Sequence, residues 1–227
     1  RSFTANVSHE LRTPMTTIKG FIDGMLDGTI PESEYKRYLG IVSQETGRLA
    51  RLVQNMLDIT KLESGEYKVQ ARSYNVWETL TDVVLSDEQR IENAKIDIEG
   101  LEPGQEIVFA DPDLVHQVVY NIVDNAIKYT PRGSHITIST VQTGQIITVK
   151  ISDDGPGMDD EVKSHVFDMF YTGSNKVADS RRSLGLGLSL CRSIIHAHGG
   201  EITVKDNQPQ GTVFSFTLPA GEGQLHE

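Results

Sequence analysis

Hydrophobic residues change their spacing once along this chain, near Gly65. Before that glycine they recur every three or four residues; after it, period-two runs alternate with further helical stretches. Such a chain cannot build one uniform architecture. It divides into a helical unit, residues 1–65, and a unit mixing strands with helices, residues 66–227.

In the first unit Phe3, Val7, Leu11, Ile18, Phe21, Ile22 and Met25 fall on one stripe roughly 80° wide at about 100° per residue. Gly24, Gly28 and the Ile30-Pro31 step break that helix. Pro31 and Glu32 start a second one, which carries Tyr35, Tyr38, Leu39, Val42, Leu49, Leu52, Val53, Met56, Ile59 and Leu62 and stops at Ser64-Gly65. The stripes are too wide, and two helices too thin, for a stable monomer. The expected solution is a second copy, two hairpins making a four-helix bundle.

Composition narrows the setting. The chain has 227 residues, 32 acidic against 21 basic, and a net charge of −11. That balance argues against nucleic acid, whose phosphates demand a basic surface. Cys191 is alone, so no internal disulfide forms and a reducing compartment fits. No run approaches the roughly 18 apolar residues of a membrane span, and no signal peptide opens the chain. With Arg1 in first place, the expectation is a cytoplasmic piece of a longer protein.

In the second unit strands are predicted at 67–72, 95–100, 106–110, 134–142, 145–153, 200–206 and 211–218. Helices are predicted at 75–93, 112–129, 159–168 and 186–198. Hairpins mixed with helices indicate a sheet covered on one face, an α/β sandwich. Residues 171–184 keep neither period and are expected to form a mobile loop of lid length. The end, 220–227, is expected to fray.

Several groups of residues could carry chemistry. His9 lies about 160° from the centre of the apolar stripe, with Thr13 on its face and Glu10 beside it. Glu10 can orient one ring nitrogen and raise the basicity of the other, and Pro14 should kink the helix just after the site. On its own this is more often a solvated surface histidine. His196 and His198 sit at a helix end, where a histidine commonly caps carbonyls. On the helix opened by Asp111-Pro112, Asn121, Asn125 and Lys128 form a narrow polar stripe, opposite Val115, Val119, Ile122, Val123 and Ala126. Amide oxygens suit a Mg²⁺ shell completed by water and phosphate, and a lysine neutralises phosphate; an ordinary wet face reads the same way. Asp153-Asp154-Gly155-Pro156-Gly157 closes a strand; its glycines admit a flat ligand and its carboxylate an exocyclic amine, although a tight turn is the commoner meaning. Gly185-Leu186-Gly187-Leu188 opens a helix whose free N–H groups can bind phosphate, or merely pack closely.

Taken in order, these strings resemble the sensor histidine kinases of two-component signalling. Ser8 to Pro14 (S-H-E-L-R-T-P) is similar to the family's phosphoacceptor box, and Asn121 to Tyr129 (N-I-V-D-N-A-I-K-Y) to its asparagine box. Asp153 to Gly157 matches the D-x-G-x-G box, Phe167 and Phe170 the phenylalanine box, Gly185 to Leu188 the second glycine box, and Gly211-Thr212 a further glycine position. The resemblance covers essentially the whole chain. It implies an α+β protein: a helical hairpin forming a dimeric four-helix bundle, then an α/β sandwich ATP-binding domain of the gyrase-like type. It implies that the γ-phosphoryl group of Mg-ATP passes to His9, with Glu10 as general base, and then to an aspartate of a response-regulator receiver. Asn125 would ligate Mg²⁺, with Asn121 and Lys128 near the phosphates and Tyr129 packing by the nucleotide. Asp153 would bond adenine. Gly155, Gly157, Phe170, Leu186, Leu188 and Thr212 complete the implied nucleotide site, and Gly185 and Gly187 would let the lid close. Thr13 matches the position that orients water when the regulator is dephosphorylated. The expected partners are a second copy and a receiver; a membrane enters only through a sensor region upstream.

The lid departs from the family pattern. Ser183 stands where a glycine is usual, Leu184 where a small residue is, and Thr172 follows Tyr171 where an arginine is common. Arg181 or Arg182 could supply the missing charge. Two other readings compete. A gyrase-type ATPase places a glutamate where Asn121 stands and has no His9 box; a phosphatase-biased or non-catalytic dimeric scaffold would bind ATP weakly.

Overall fold

The computed structural model describes residues 3–102, 104–171 and 186–222. Two long helices come first, α1 (Phe3–Leu26) and α2 (Tyr35–Glu63), with a single 3-10 turn at Glu32–Glu34 between them. α1 runs on through Pro14, the position of the expected kink, as one continuous helix, and Pro14 itself is buried. Pro14 removes one backbone donor while the ladder on either side continues. The reversal is tight because Gly24 lies against Ile30: a Cβ there would stand 3.0 Å from the Ile30 side chain, and Ile30 N–H donates to Gly24 O at 2.7 Å. Tyr35 Oη donates to Met25 O at 2.7 Å, and the Phe21 and Tyr38 rings lie 5.0 Å apart.

The second unit is a five-stranded sheet in the order β2-β4-β5-β7-β6. Its strands are β2 (Asp97–Glu99), β4 (His135–Thr143), β5 (Ile146–Asp153), β6 (Ile202–Asp206) and β7 (Thr212–Pro219). β2 pairs parallel with β4, and every other pair is antiparallel. β7 shows the period of two plainly: Thr212, Phe214, Phe216 and Leu218 are buried and the residues between are not. A separate two-stranded pair, β1 (Arg72–Asn75) and β3 (Ile107–Ala110), adjoins the end of β7 through a Val108–Ala220 bridge.

Among the described residues five helices complete this unit: α3 (Val76–Ser86), α4 (Glu88–Ala94), α5 (Pro112–Tyr129), α6 (Asp160–His165) and α7 (Gly187–Ala197). α5 and α7 supply most of the buried face, Leu114 to Ala126 on one and Leu190, Cys191, Ile194 and Ile195 on the other. α2 also packs on α7, which leaves Leu52 and Ile59 of the hairpin 0% and 2% exposed. Burial of each such side chain stabilises the docked arrangement by about 1.5–3 kcal/mol.

Three elements differ from the sequence expectation. The strand predicted at 67–72 begins only at Arg72, because the preceding segment gives its hydrogen bonds elsewhere: Gln70 N–H donates to Asp111 Oδ2 at 2.9 Å. The helix predicted at 75–93 is divided at Asp87, whose φ of −101° and ψ of 9° leave the helical region. The helix predicted at 159–168 is only Asp160–His165.

The start of α5 is pinned from two sides. Asp111 Oδ1 accepts from the N–H groups of Asp113 (3.1 Å) and Leu114 (3.3 Å), as the Asp-Pro signal predicts. His198, at the end of α7, caps the Ile194 carbonyl through Nδ1 at 2.8 Å, and its Nε2 accepts from Asp111 N–H at 3.0 Å. These two bonds select one neutral tautomer. His198→Ala leaves the Asp111 N–H buried without an acceptor. We expect a loss of about 1–3 kcal/mol in urea unfolding, against little change for His196→Ala on the same helix; equal losses would show that the bond is not the cause.

Candidate functional site

α5 puts its apolar side into the core, so its remaining face is determined. Val115, Val119, Ile122, Val123 and Ala126 are buried, while Asn121, Asn125 and Lys128 are only partly covered. The stripe expected from the helical wheel is therefore present. Asn121 meets the start of α7: a Cβ on Gly187 would stand 3.3 Å from Asn121 Oδ1, and one turn further the Cys191 thiol donates to Val118 O at 3.8 Å. Burial pushes that thiol up to about 12, so Cys191 acts as packing and as a hydrogen-bond partner rather than a nucleophile.

The second cluster is the turn after β5. Asp153 accepts from Gly155 N–H at 2.9 Å and from the Thr212 backbone. Gly155 rests on the end of α5; its Cβ would lie 3.4 Å from Tyr129 O and 2.8 Å from Asp153 Oδ1. Gly211 has φ +116°, and a Cβ on it would fall 1.9 Å from Asp153 O, which only a glycine avoids. Gly157 follows, 3.4 Å by the same measure from Gly211 O. Asn207 donates through Nδ2 to Asp153 O at 2.9 Å. Asp154 turns the other way: its Oδ1 accepts from His135 N–H at 2.8 Å, and its Oδ2 lies 3.1 Å from the ring Nδ1. The turn is thus held on both sides, with the Asp153 carboxylate kept partly buried between them.

Further expected residues lie on the adjoining elements. Tyr129 is 54% exposed at the end of α5. Phe167 meets Phe214 edge-on at 6.2 Å, and Phe170, half-buried at φ +63°, packs on the core. Leu186 is fully buried and Leu188 partly so. Among the described residues no side chain caps α7, so the first N–H groups of that 11-residue helix can serve an anion. Gly185, Arg182, Arg181, Thr172, Ser183 and Leu184, with most of the expected lid, lie outside the described residues.

His9 stands apart, on α1. Its side chain is 75% exposed and its Nδ1 lies 3.6 Å from Glu10 Oε1, which leaves Nε2 facing solvent. Thr13 Oγ1 donates back to His9 O at 3.3 Å. An imidazole this exposed is accessible to a large reactant.

Sequence reasoning missed Asn207, His135, Asp154, Asp124 and Arg90. Asp124 carried a local signal, since it stands one turn before Lys128 and pairs with it, Nζ to Oδ2 at 2.6 Å. The others depend on partners far along the chain. Asn207, for example, is 54 residues from Asp153.

The Asp153 carboxyl is held above the usual carboxylate range, first by burial, against which the Gly155 and Thr212 N–H groups pull down. The folded state therefore favours its protonated form. That contribution is present at low pH and lost as pH rises through the raised value, so at pH 7 the charge opposes folding. Asp153→Asn should hold or raise the melting temperature at pH 7, with a smaller gain at pH 4. A drop at pH 7 would show the carboxylate to be stabilising.

Two family models match the chain: the His Kinase A (phospho-acceptor) domain over residues 1–65, and the histidine kinase-, DNA gyrase B- and HSP90-like ATPase over 110–222. The chain is 33% identical to the sensor protein KdpD of Clostridium acetobutylicum over 94% of its own length and 24% of KdpD. It is 32% identical to the sensor histidine kinase WalK of Bacillus subtilis over 99% of its length and 37% of WalK. It thus spans about a quarter to two fifths of these curated relatives. Among solved structures, the catalytic domain of histidine kinase ThkA is 31% identical, with a TM-score of 0.59 over 67% of this chain and 97% of that one. ThkA in complex with the response regulator protein TrrA gives a TM-score of 0.76 at 31% identity, over 96% of this chain and 60% of that one.

Proposed function

This chain belongs to the sensor histidine kinases of two-component signalling, and from that membership we propose that it is an ATP-dependent autokinase. In this reading residues 66–227 bind ATP and residues 1–65 form the dimerisation and phosphoacceptor hairpin. His9 takes the γ-phosphoryl group and passes it to an aspartate of a receiver domain. One observation carries the reading: Gly187 seats the start of α7 on Asn121, and Gly155 seats the Asp153 turn on the end of the same helix. Three strings that could each be ordinary turns or helix starts thereby meet along α5.

Each residue then has a task. The Asp153 carboxylate accepts from the exocyclic amine of adenine, beside Gly155, Gly157 and Thr212 and within reach of Tyr129. Asn121, Lys128 and the uncapped start of α7 face the phosphates, which suits phosphoryl transfer because positioning and neutralised charge do most of the catalysis. The Asn125 amide oxygen fits Mg²⁺, a hard cation that keeps waters and phosphate in its remaining positions. When bound, that ion neutralises phosphate charge. His9 Nε2, on the side of the ring away from Glu10, attacks the γ-phosphorus; Glu10 holds Nδ1 and the proton there, and ADP leaves. Thr13 would have to turn its hydroxyl outward to orient a water for removing phosphate from the receiver.

The exposed apolar residues Met15, Leu26, Leu39, Val53 and Leu57 supply a surface for the second copy. Among the described residues no helix is long and apolar enough to cross a membrane. A membrane therefore enters this reading only through a sensor region upstream, with this module on the cytoplasmic side.

The test is incubation with γ-labelled ATP and Mg²⁺. Label on the protein should survive alkali, be lost in acid, and be absent from His9→Gln. A hydrogen bond to a charged group is worth about 1.5–3 kcal/mol, so Asp153→Asn should weaken ATP about ten- to hundredfold while remaining folded. Nucleotide bound without any label would overturn the autokinase reading in favour of a phosphatase or scaffold.

A further inference from the structure

Lys128 shares the exposed face of α5 with Asn121 and Asn125, yet its ammonium sits 2.6 Å from Asp124 Oδ2, one turn back. The other oxygen of that carboxylate, Oδ1, takes Nη2 of Arg90 at 2.7 Å. Arg90 Nη1 in turn reaches Asp87 Oδ1 at 2.9 Å. One carboxylate therefore serves two cations from two helices, α4 and α5.

The exposures make this arrangement consequential. Asp124 is 16% exposed and Lys128 28%, so the carboxylate is too sheltered to be left without a cation at no cost. Were Lys128 its only partner, moving the ammonium to a phosphate would strand that charge. Arg90 prevents this, because it remains on Asp124 after Lys128 leaves. Asp87, nearly buried and with Oδ2 lacking a hydrogen-bond partner among the described residues, anchors Arg90 from behind. Burial acts to lower the Arg90 pKa, but its bonds to Asp124 and Asp87 outweigh that, so it stays charged.

We propose that Arg90 is a positioning residue for nucleotide binding: by holding Asp124, it frees Lys128 to exchange that carboxylate for a phosphate of ATP. The inference rests on the proposed function and deepens it, because it brings in α4, which carries none of the recognisable boxes.

The experiment is equilibrium titration of the whole chain with Mg-ATP and, separately, with adenosine, which has no phosphate. Arg90→Gln should weaken ATP about three- to fivefold, the scale of a half-exposed ion pair, and leave adenosine unchanged. Arg90→Lys should restore most of the loss. Asp124→Asn should tighten ATP, since it removes a competing anion, and Arg90→Gln added to it should have no further effect. Arg90→Gln binding ATP as the wild type does would overturn the inference. So would a loss that persists undiminished in the Asp124→Asn background, or one that extends equally to adenosine. Wild-type protein that binds adenosine and ATP, with no effect of Arg90→Gln, defeats this inference alone; wild-type protein that binds neither defeats the functional reading with it.

Discussion

Hydrogen bonds from three parts of the chain converge on Asp111, and the direction of every polar side chain on α5 follows from them. Its carboxylate takes the N–H groups of Asp113, Leu114 and Gln70, and its own N–H goes to His198. A helix turns by a constant angle per residue, so fixing its first turn and burying Val115 to Ala126 leaves no freedom in where Asn121, Asn125 and Lys128 point. The same residue gathers three distant parts of the chain: the connector after the hairpin, the start of α5 and the end of α7. Rotation of α5 is therefore costly in each of them at once.

Close approach of backbone is the second constraint. At Gly211 a single added carbon would lie 1.9 Å from Asp153 O, and at Gly155 2.8 Å from Asp153 Oδ1. Both glycines let main chain pass where a side chain would otherwise lie, and both contacts involve the residue whose carboxylate is partly buried. The site keeps an ionised group in a place where burial works against the charge. Such strain against stability fits the adenine-binding role proposed for Asp153.

What could be read from the sequence follows the range of the interaction responsible. The bounds of α5, Pro112–Tyr129, were legible to the residue, because an Asp cap, a proline and an unbroken period all act within one segment. The β4–β5 hairpin was legible for the same reason, its turn set by Gly144 at φ +60°. Residues 67–71 misled because alternation shows only that a segment could be a strand. Whether a partner strand lies alongside is decided elsewhere, and here Asp111 takes the hydrogen bond first. The His198–Asp111 bond spans 87 residues and Arg90–Asp124 spans 34, so no local pattern could reveal either. His9 shows the limit for function: its position on the wheel described only a wet histidine, and the order of the distant boxes gave it meaning.

The breadth of the apolar stripe on α2 has a structural explanation that a width alone does not disclose. Leu52 and Ile59 lie together on one side of the helix and are buried against the α/β unit. Leu39, Val53 and Leu57 lie roughly 130° further round and are 43–48% exposed. A helix apolar on two separate sides needs two partners. One of them is α7, within the chain. Met15 and Leu26 on α1 are exposed as well, so the uncovered surface is shared by both helices of the hairpin, which a four-helix bundle of two copies would bury. α2 would then be packed at once on a second subunit and on the helix that seats Asn121. Any shift of α2 within the bundle would have to be accommodated at Leu52 and Ile59, one helix away from the proposed nucleotide site.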